Sequence, residues 1–132
     1  MEEMRAPCFS PRMKSHAAFR IAAVIGFLAV TLGAFGAHGL QDLLEKNGRI
    51  ETWKTAVLYH LAHAVVLLLI ATLRPLRIAA WWLMLAGICI FSGTLYALAL
   101  TNVKWLGAIT PLGGLCLLAG WLALAFGKAD EK

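Results

Sequence analysis

The chain has 132 residues, 61% of them hydrophobic and 14% charged, with a mean hydropathy of +0.76. Soluble domains carry about a quarter charged residues, so this composition excludes an ordinary water-soluble fold, and the length leaves room for one domain with no soluble catalytic unit beside it. The net charge of +5 comes without a basic stripe interleaved with aromatics. That excludes nucleic acid as the expected partner and points to loop lysines and arginines meeting anionic headgroups.

In chain order, residues 1–16 hold two prolines and no periodicity and are expected to form a disordered N-terminal tail, with Met13 an alternative start. Four stretches without Asp, Glu, Lys or Arg follow: Ile21 to Gln41, Thr55 to Leu73, Ile78 to Val103 and Trp105 to Gly127. About twenty mostly apolar residues in a helix match the thickness of a bilayer core. The expected fold is therefore all-α: a polytopic, antiparallel four-transmembrane-helix bundle over 17–127, with spans at about 20–40, 54–73, 78–100 and 105–126 and a C-terminal tail at 128–132. The first run, preceded by Arg12, Lys14 and Arg20, also resembles a signal peptide with Ala34 and Gly36 near a cleavage site. Its length and the spacing of its glycines favour a retained helix.

Between spans one and two, Leu40, Leu43 and Leu44 recur at helical spacing before Asn47-Gly48, which predicts a short amphipathic helix on the outer surface. The turns Arg74-Pro75-Leu76-Arg77 and Thr101 to Lys104 are short enough to force antiparallel neighbours. Trp53 and Trp105 are expected at the outer headgroup level, Trp81 and Trp82 at the inner one. The termini side collects Arg5, Arg12, Lys14, Arg20, Arg74, Arg77, Lys128 and Lys132, against Lys46, Arg49, Lys54 and Lys104 opposite. That bias places both termini in the cytoplasm.

Eleven of the twelve glycines lie in the uncharged stretches. Gly26 with Gly33, Gly107 with Gly114 and Gly113 with Gly120 are each a heptad apart, which predicts a tight left-handed bundle of closely approaching backbones. Cys8, Cys89 and Cys116 form no C-x-x-C pair, so neither a disulfide framework nor a metal site is expected. The polar residues inside the spans form a candidate layer: His38, Tyr59, His60, His63, Ser92, Tyr96 and Thr110. From the outer boundary His60 lies about 10 Å deep and His63 about 15 Å deep, with Ser92 and Tyr96 at the same depths, Thr110 also in the outer half and His38 close above at the outer mouth. His63, Tyr59, Ser92, Tyr96 and Thr110 are expected to face the interior as one connected layer, because unpaired polar groups in hydrocarbon are costly. Interhelical glue and a functional site both remain open for them. Pro111 removes a backbone donor in the last span and predicts a kink beside the layer.

The strings GAFGAHGL (Gly33 to Leu40), TAVLYHLAHAVVLL (Thr55 to Leu68), FSGTLYALALT (Phe91 to Thr101) and WLGAITPLGGLCLLAGWLALA (Trp105 to Ala125) closely resemble the DUF423 family. These are the UPF0382 inner-membrane proteins, to which the eukaryotic transmembrane protein 256 is distantly similar. The resemblance implies a four-span protein of the bacterial inner membrane with no assigned biochemical role. On the family pattern His38, Tyr59, His63, Ser92, Tyr96, Thr110 and Pro111 match its motifs, and His60 departs from an expected glutamine.

No carboxylate, nucleotide motif or metal motif lies in the spans, so no enzyme and no cofactor are expected. Bis-histidine haem would need two histidines at one depth, and His38 and His63 are several turns apart. A tightly packed monomer leaves little lumen for transport. The leading expectation is a small accessory or assembly subunit of a membrane complex, with membrane lipids and another membrane protein or a second copy as partners. The alternative is small-molecule (lipid or quinone) binding or transport at the polar layer in the outer half of the bundle.

Overall fold

The structure, a computed structural model, describes residues 15–128. The expected tail therefore lies outside the described residues as far as position 14, as do Met13, Cys8 and positions 129–132. Ser15 and His16, expected in that tail, instead open the first helix. Five helices and no strand occur among the described residues: α1 (Ser15–Ala37), α2 (Gln41–Asn47), α3 (Ile50–Thr72), α4 (Ile78–Thr101) and α5 (Leu106–Phe126). The four long ones are apolar enough to cross a membrane, and α2 is the short helix expected between the first two spans. Helices α1 and α3 begin several residues before their uncharged cores. Loss of charge marks the hydrocarbon boundary, whereas helical hydrogen bonding continues through the interface, where Arg20 and Lys54 stay exposed.

Local chemistry sets the ends. Helix α2 stops at Gly48, whose φ of 64° lies in the left-handed region where glycine carries no steric penalty. Helix α4 ends at Asn102, left-handed at φ 55°, with its N–H bonded to the Leu98 carbonyl at 2.8 Å. The α3–α4 turn contains a cis Arg74–Pro75 bond. Helix α5 runs through Pro111 as one element.

The long helices form a row. Helix α1 packs on α3, α3 on α4 and α4 on α5, while α2 touches α1, α3 and α4; the α1 backbone comes close to neither α4 nor α5. The antiparallel four-span architecture is thus present, but it is open on one side, where a tight bundle was expected. The reason lies in where the small residues fall. A Cβ on Gly113 would strike the Phe91 backbone, one on Gly87 the Leu117 side chain, one on Gly120 the Met84 thioether at 3.1 Å, and one on Gly36 the Trp53 indole. Close approach is concentrated at α4–α5 and α1–α3. A Cβ on Gly33 would lie 3.2 Å from Val57 Cγ1, whereas one on Gly26, Gly107 or Gly114 would make only ordinary contacts, at 3.8 to 3.9 Å.

The larger core sits toward the termini end, around Ala18, Ala22, Leu67, Trp81, Met84 and Leu117, and a smaller one near α2 joins Leu44, Trp53 and Ala99. Two of the tryptophans expected at the headgroups are core residues: Trp53 is 3% exposed and Trp81 0%. Trp82 and Trp105, both exposed, suit an interfacial position. Each tryptophan is governed by the face of the helix it occupies, which its depth alone does not reveal.

Side chains tie both ends of the row. At the α2 end Asn47 Nδ2 donates to the carbonyls of Ala99 (2.9 Å) and Leu100 (3.2 Å), and Arg49 Nε donates to Asn102 Oδ1 at 3.0 Å. Asn47 thereby satisfies two carbonyls that the end of α4 leaves without helical partners. At the other end Arg74 donates to Ser15 Oγ at the start of α1 and to the Ala71 carbonyl, and Arg77 donates to the Gly127 carbonyl after α5.

Candidate functional site

The candidate polar residues divide into separate pairings and do not form one connected layer. His60 and His63 are three apart, so their directions from the helix axis differ by about 60° and each meets a different neighbour.

His60 is 6% exposed, and its Nδ1 lies 3.1 Å from the Tyr96 hydroxyl of α4. The Tyr96 ring packs on Trp53 at a centroid distance of 4.7 Å, and the Trp53 indole donates to the Leu32 carbonyl of α1 at 3.0 Å. This connected set therefore crosses α1, α3 and α4. On its other edge His60 Nε2 is buried and has no hydrogen-bond partner among the described residues.

His63 works between α3 and α5. Its Nδ1 lies 2.8 Å from the Tyr59 carbonyl, and the Trp121 indole donates to its Nε2 at 3.2 Å. A carbonyl only accepts and an indole N–H only donates, so the two bonds together assign the neutral tautomer with the proton on Nδ1. Both nitrogens are thereby satisfied, across two helices that make no close backbone approach.

The hydroxyls behave likewise. Ser92, 1% exposed, donates to the Ala56 carbonyl at 2.9 Å and joins α4 to α3. Thr110 Oγ1 lies 2.8 Å from Thr94 Oγ1 and joins α5 to α4. Thr94 was not among the expected residues, although it stands two positions after Ser92 in the same polar string and on a different face. Tyr59 is a correction: it is 40% exposed, its ring stacked 5.9 Å from His63 and tilted on Phe91 at 4.5 Å. Four residues before His63, it packs on Phe91 of α4 while part of the side chain stays exposed. His38 lies just past α1, exposed, and no side-chain hydrogen bond joins it to the other candidates. Cys89 is exposed and Cys116 half-buried, both as free thiols.

The arrangement can brace helices against one another, because His60 with Tyr96, His63 with Trp121, Ser92 with Ala56 and Thr94 with Thr110 each bond across two helices. It presents no open polar cavity. A cavity of about 320 Å³ does lie at the α2 end between α1 and α3, but its walls are apolar apart from Lys54.

A family model described as a protein of unknown function, DUF423, matches residues 32–114. The chain is 43% identical over 110 residues to the UPF0382 membrane protein YwdK of Bacillus subtilis, covering 79% of this chain and 89% of the relative. It is 39% identical over 120 residues to a UPF0382 membrane protein of Haemophilus influenzae, covering 85% and 93%. It is also 36% identical over 114 residues to the UPF0382 membrane protein C1782.12c of Schizosaccharomyces pombe, covering 80% and 96%. No solved structure matches.

Proposed function

The chain belongs to the DUF423 family, whose relatives carry the name UPF0382 membrane protein, and we propose that it acts as a small, non-catalytic accessory or assembly subunit of a membrane complex. The observation that carries this reading is the open row. Among the long helices α1 makes close backbone contact with α3 alone and α5 with α4 alone, the Trp121–His63 bond being a side-chain link from α5 to α3, so each end helix keeps most of its surface for something else. On α1 only Ala18, Ala22 and Ala29 are buried. Between spans the bilayer supplies no hydrophobic force, so a partner would be selected by packing against such surfaces.

The pairing of the polar groups favours this role over a small-molecule site at their level, because Ser92, Thr110, Tyr96 and both nitrogens of His63 are already engaged within the protein. The location proposed with it is the bacterial inner membrane with both termini cytoplasmic, which sets the α2 end outside. The lysine and arginine bias supports that orientation.

The test is site-specific photo-cross-linking in native membranes, with the probe at Val24 or Phe27 on α1 and at Leu115 or Leu118 on α5, all exposed. A discrete adduct from either end helix, to another membrane protein or to a second copy, with none from Leu69 on α3, is the expected outcome. Full-length protein that gives no adduct from any of the four positions would overturn the proposal.

A further inference from the structure

The cavity at the α2 end lies between Gly33, Gly36 and Ala37 of α1 and Val57, Leu58 and Leu61 of α3. Leu44 of α2, 1% exposed, closes the cavity from above together with Ile50. The Trp53 indole forms part of the wall, but its N–H is committed to the Leu32 carbonyl, so it offers a dry surface. The mouth opens sideways, because Leu58 is 65% and Leu61 39% exposed on this flank. From Lys54 to Leu61 the cavity follows α3 for two turns, about 10 Å along the bilayer normal.

Two chemistries meet here. An apolar cavity offers water no partners and takes apolar ligands, and about 320 Å³ is at the lower end of the range for ligand pockets. Within a membrane, the apolar chain that reaches a sideways mouth is a lipid tail. At the rim stands the one charged lining residue, Lys54, its ammonium exposed and 2.9 Å from Glu51. An exposed pair three residues apart contributes little, so Lys54 is available to a stronger anion at small cost. A lipid phosphate lies at that interfacial level, and a lysine there both snorkels and attracts anionic headgroups.

We propose that this groove is a specific site for one phospholipid of the leaflet on the α2 side, with an acyl chain between Gly33/Gly36 and Leu58/Leu61 and the phosphate on Lys54. The bound lipid completes the wall between α1 and α3, and the proposal does not depend on a protein partner.

The test is native mass spectrometry of the full-length protein in mild detergent, with phosphatidylglycerol, phosphatidylethanolamine and diacylglycerol as added probes. The wild type is expected to retain one phospholipid per chain and to bind diacylglycerol at least tenfold more weakly. Leu58→Trp fills the mouth from an exposed position and should lower phospholipid occupancy about tenfold. Leu115→Trp, on the exposed face of α5, should leave it unchanged. Lys54→Gln should bring phospholipid binding down to the diacylglycerol level. If Leu58→Trp disturbs folding, Ala37→Phe at the exposed end of α1 fills the same mouth and must give the same loss. Undiminished occupancy in a folded mouth-filling variant, or equal retention by Leu115→Trp and Leu58→Trp, would overturn the site. Equal binding of phosphatidylglycerol and diacylglycerol to the wild type would overturn the role of Lys54.

Discussion

Gly113→Ala probes the closest approach of a glycine to the backbone of another helix among the described residues. A methyl group added there would meet the Phe91 backbone nitrogen and lie 2.7 Å from the Phe91 Cα and 2.8 Å from its Cβ. A flexible side chain could swing aside, but backbone can yield only by displacing the helix. Two opposing effects decide the outcome. Exchanging glycine for alanine in a helix gains about 0.8–1 kcal/mol of propensity, and overpacking costs about 1–3 kcal/mol, with a backbone obstacle at the upper end. The net loss for Gly113→Ala is therefore about 2 kcal/mol. Gly93 on α4 supplies the control, since a Cβ there meets nothing within 4 Å. It should register only the propensity gain, which puts the two variants about 3 kcal/mol apart. Reversible unfolding of the purified protein in mixed micelles, followed by far-UV circular dichroism, measures both. If Gly113→Ala proves as stable as Gly93→Ala, the α4–α5 backbones are not in the contact described and the packing account of the glycines fails.

Asn47→Ala removes the side-chain donor to the Ala99 and Leu100 carbonyls and should cost about 1 kcal/mol. Amide exchange in the last turn of α4 should accelerate, with no change at the α3–α4 turn. Tyr96→Phe deprives His60 Nδ1 of its partner in a site where Nε2 already lacks one. It should cost about 1–3 kcal/mol, and Tyr59→Phe, at an exposed hydroxyl, under about 0.5 kcal/mol. His63→Leu breaks the bond to Trp121 and should cost under about 1 kcal/mol, the usual size for an interhelical bond in a membrane. The Trp121 indole proton resonance should move at the same time, and an unchanged resonance would contradict the pairing.

The four spans, the short α2 helix and the antiparallel order were legible because each rests on a one-dimensional signal, namely charge-free runs and turn residues. Burial was not, since it depends on which face of a helix meets a neighbour. Trp53 and Trp81 look like interfacial anchors from their depth, and both prove to be core. The polar residues show the same division. Their confinement to the spans could be read directly, but the pairing of His60 with Tyr96, of His63 with Trp121 and of Thr94 with Thr110 could not. A difference of three positions in a helix sends two imidazoles to different partners. The open row escaped prediction for a related reason: heptad-spaced glycines state that backbones come close, without stating to which neighbour. Asn47 was readable as a helix stop, but nothing within its own segment announces that its amide would cap the distant end of α4.

The row has a consequence for how energy is distributed. A closed bundle shares its stability around a ring, so a fault at one seam is felt at the others. Here each end helix has one long neighbour at close backbone range, as units in a linear array do. Apart from the His63–Trp121 bond that links α3 to α5, the stability approximates a sum over three seams, α1–α3, α3–α4 and α4–α5, and changes at the two outer seams combine without interaction when they lie more than about 7–10 Å apart and share no partners. The middle pair then acts as a fixed frame, and either flank can change its sequence to suit a new neighbour without forcing compensation in the other.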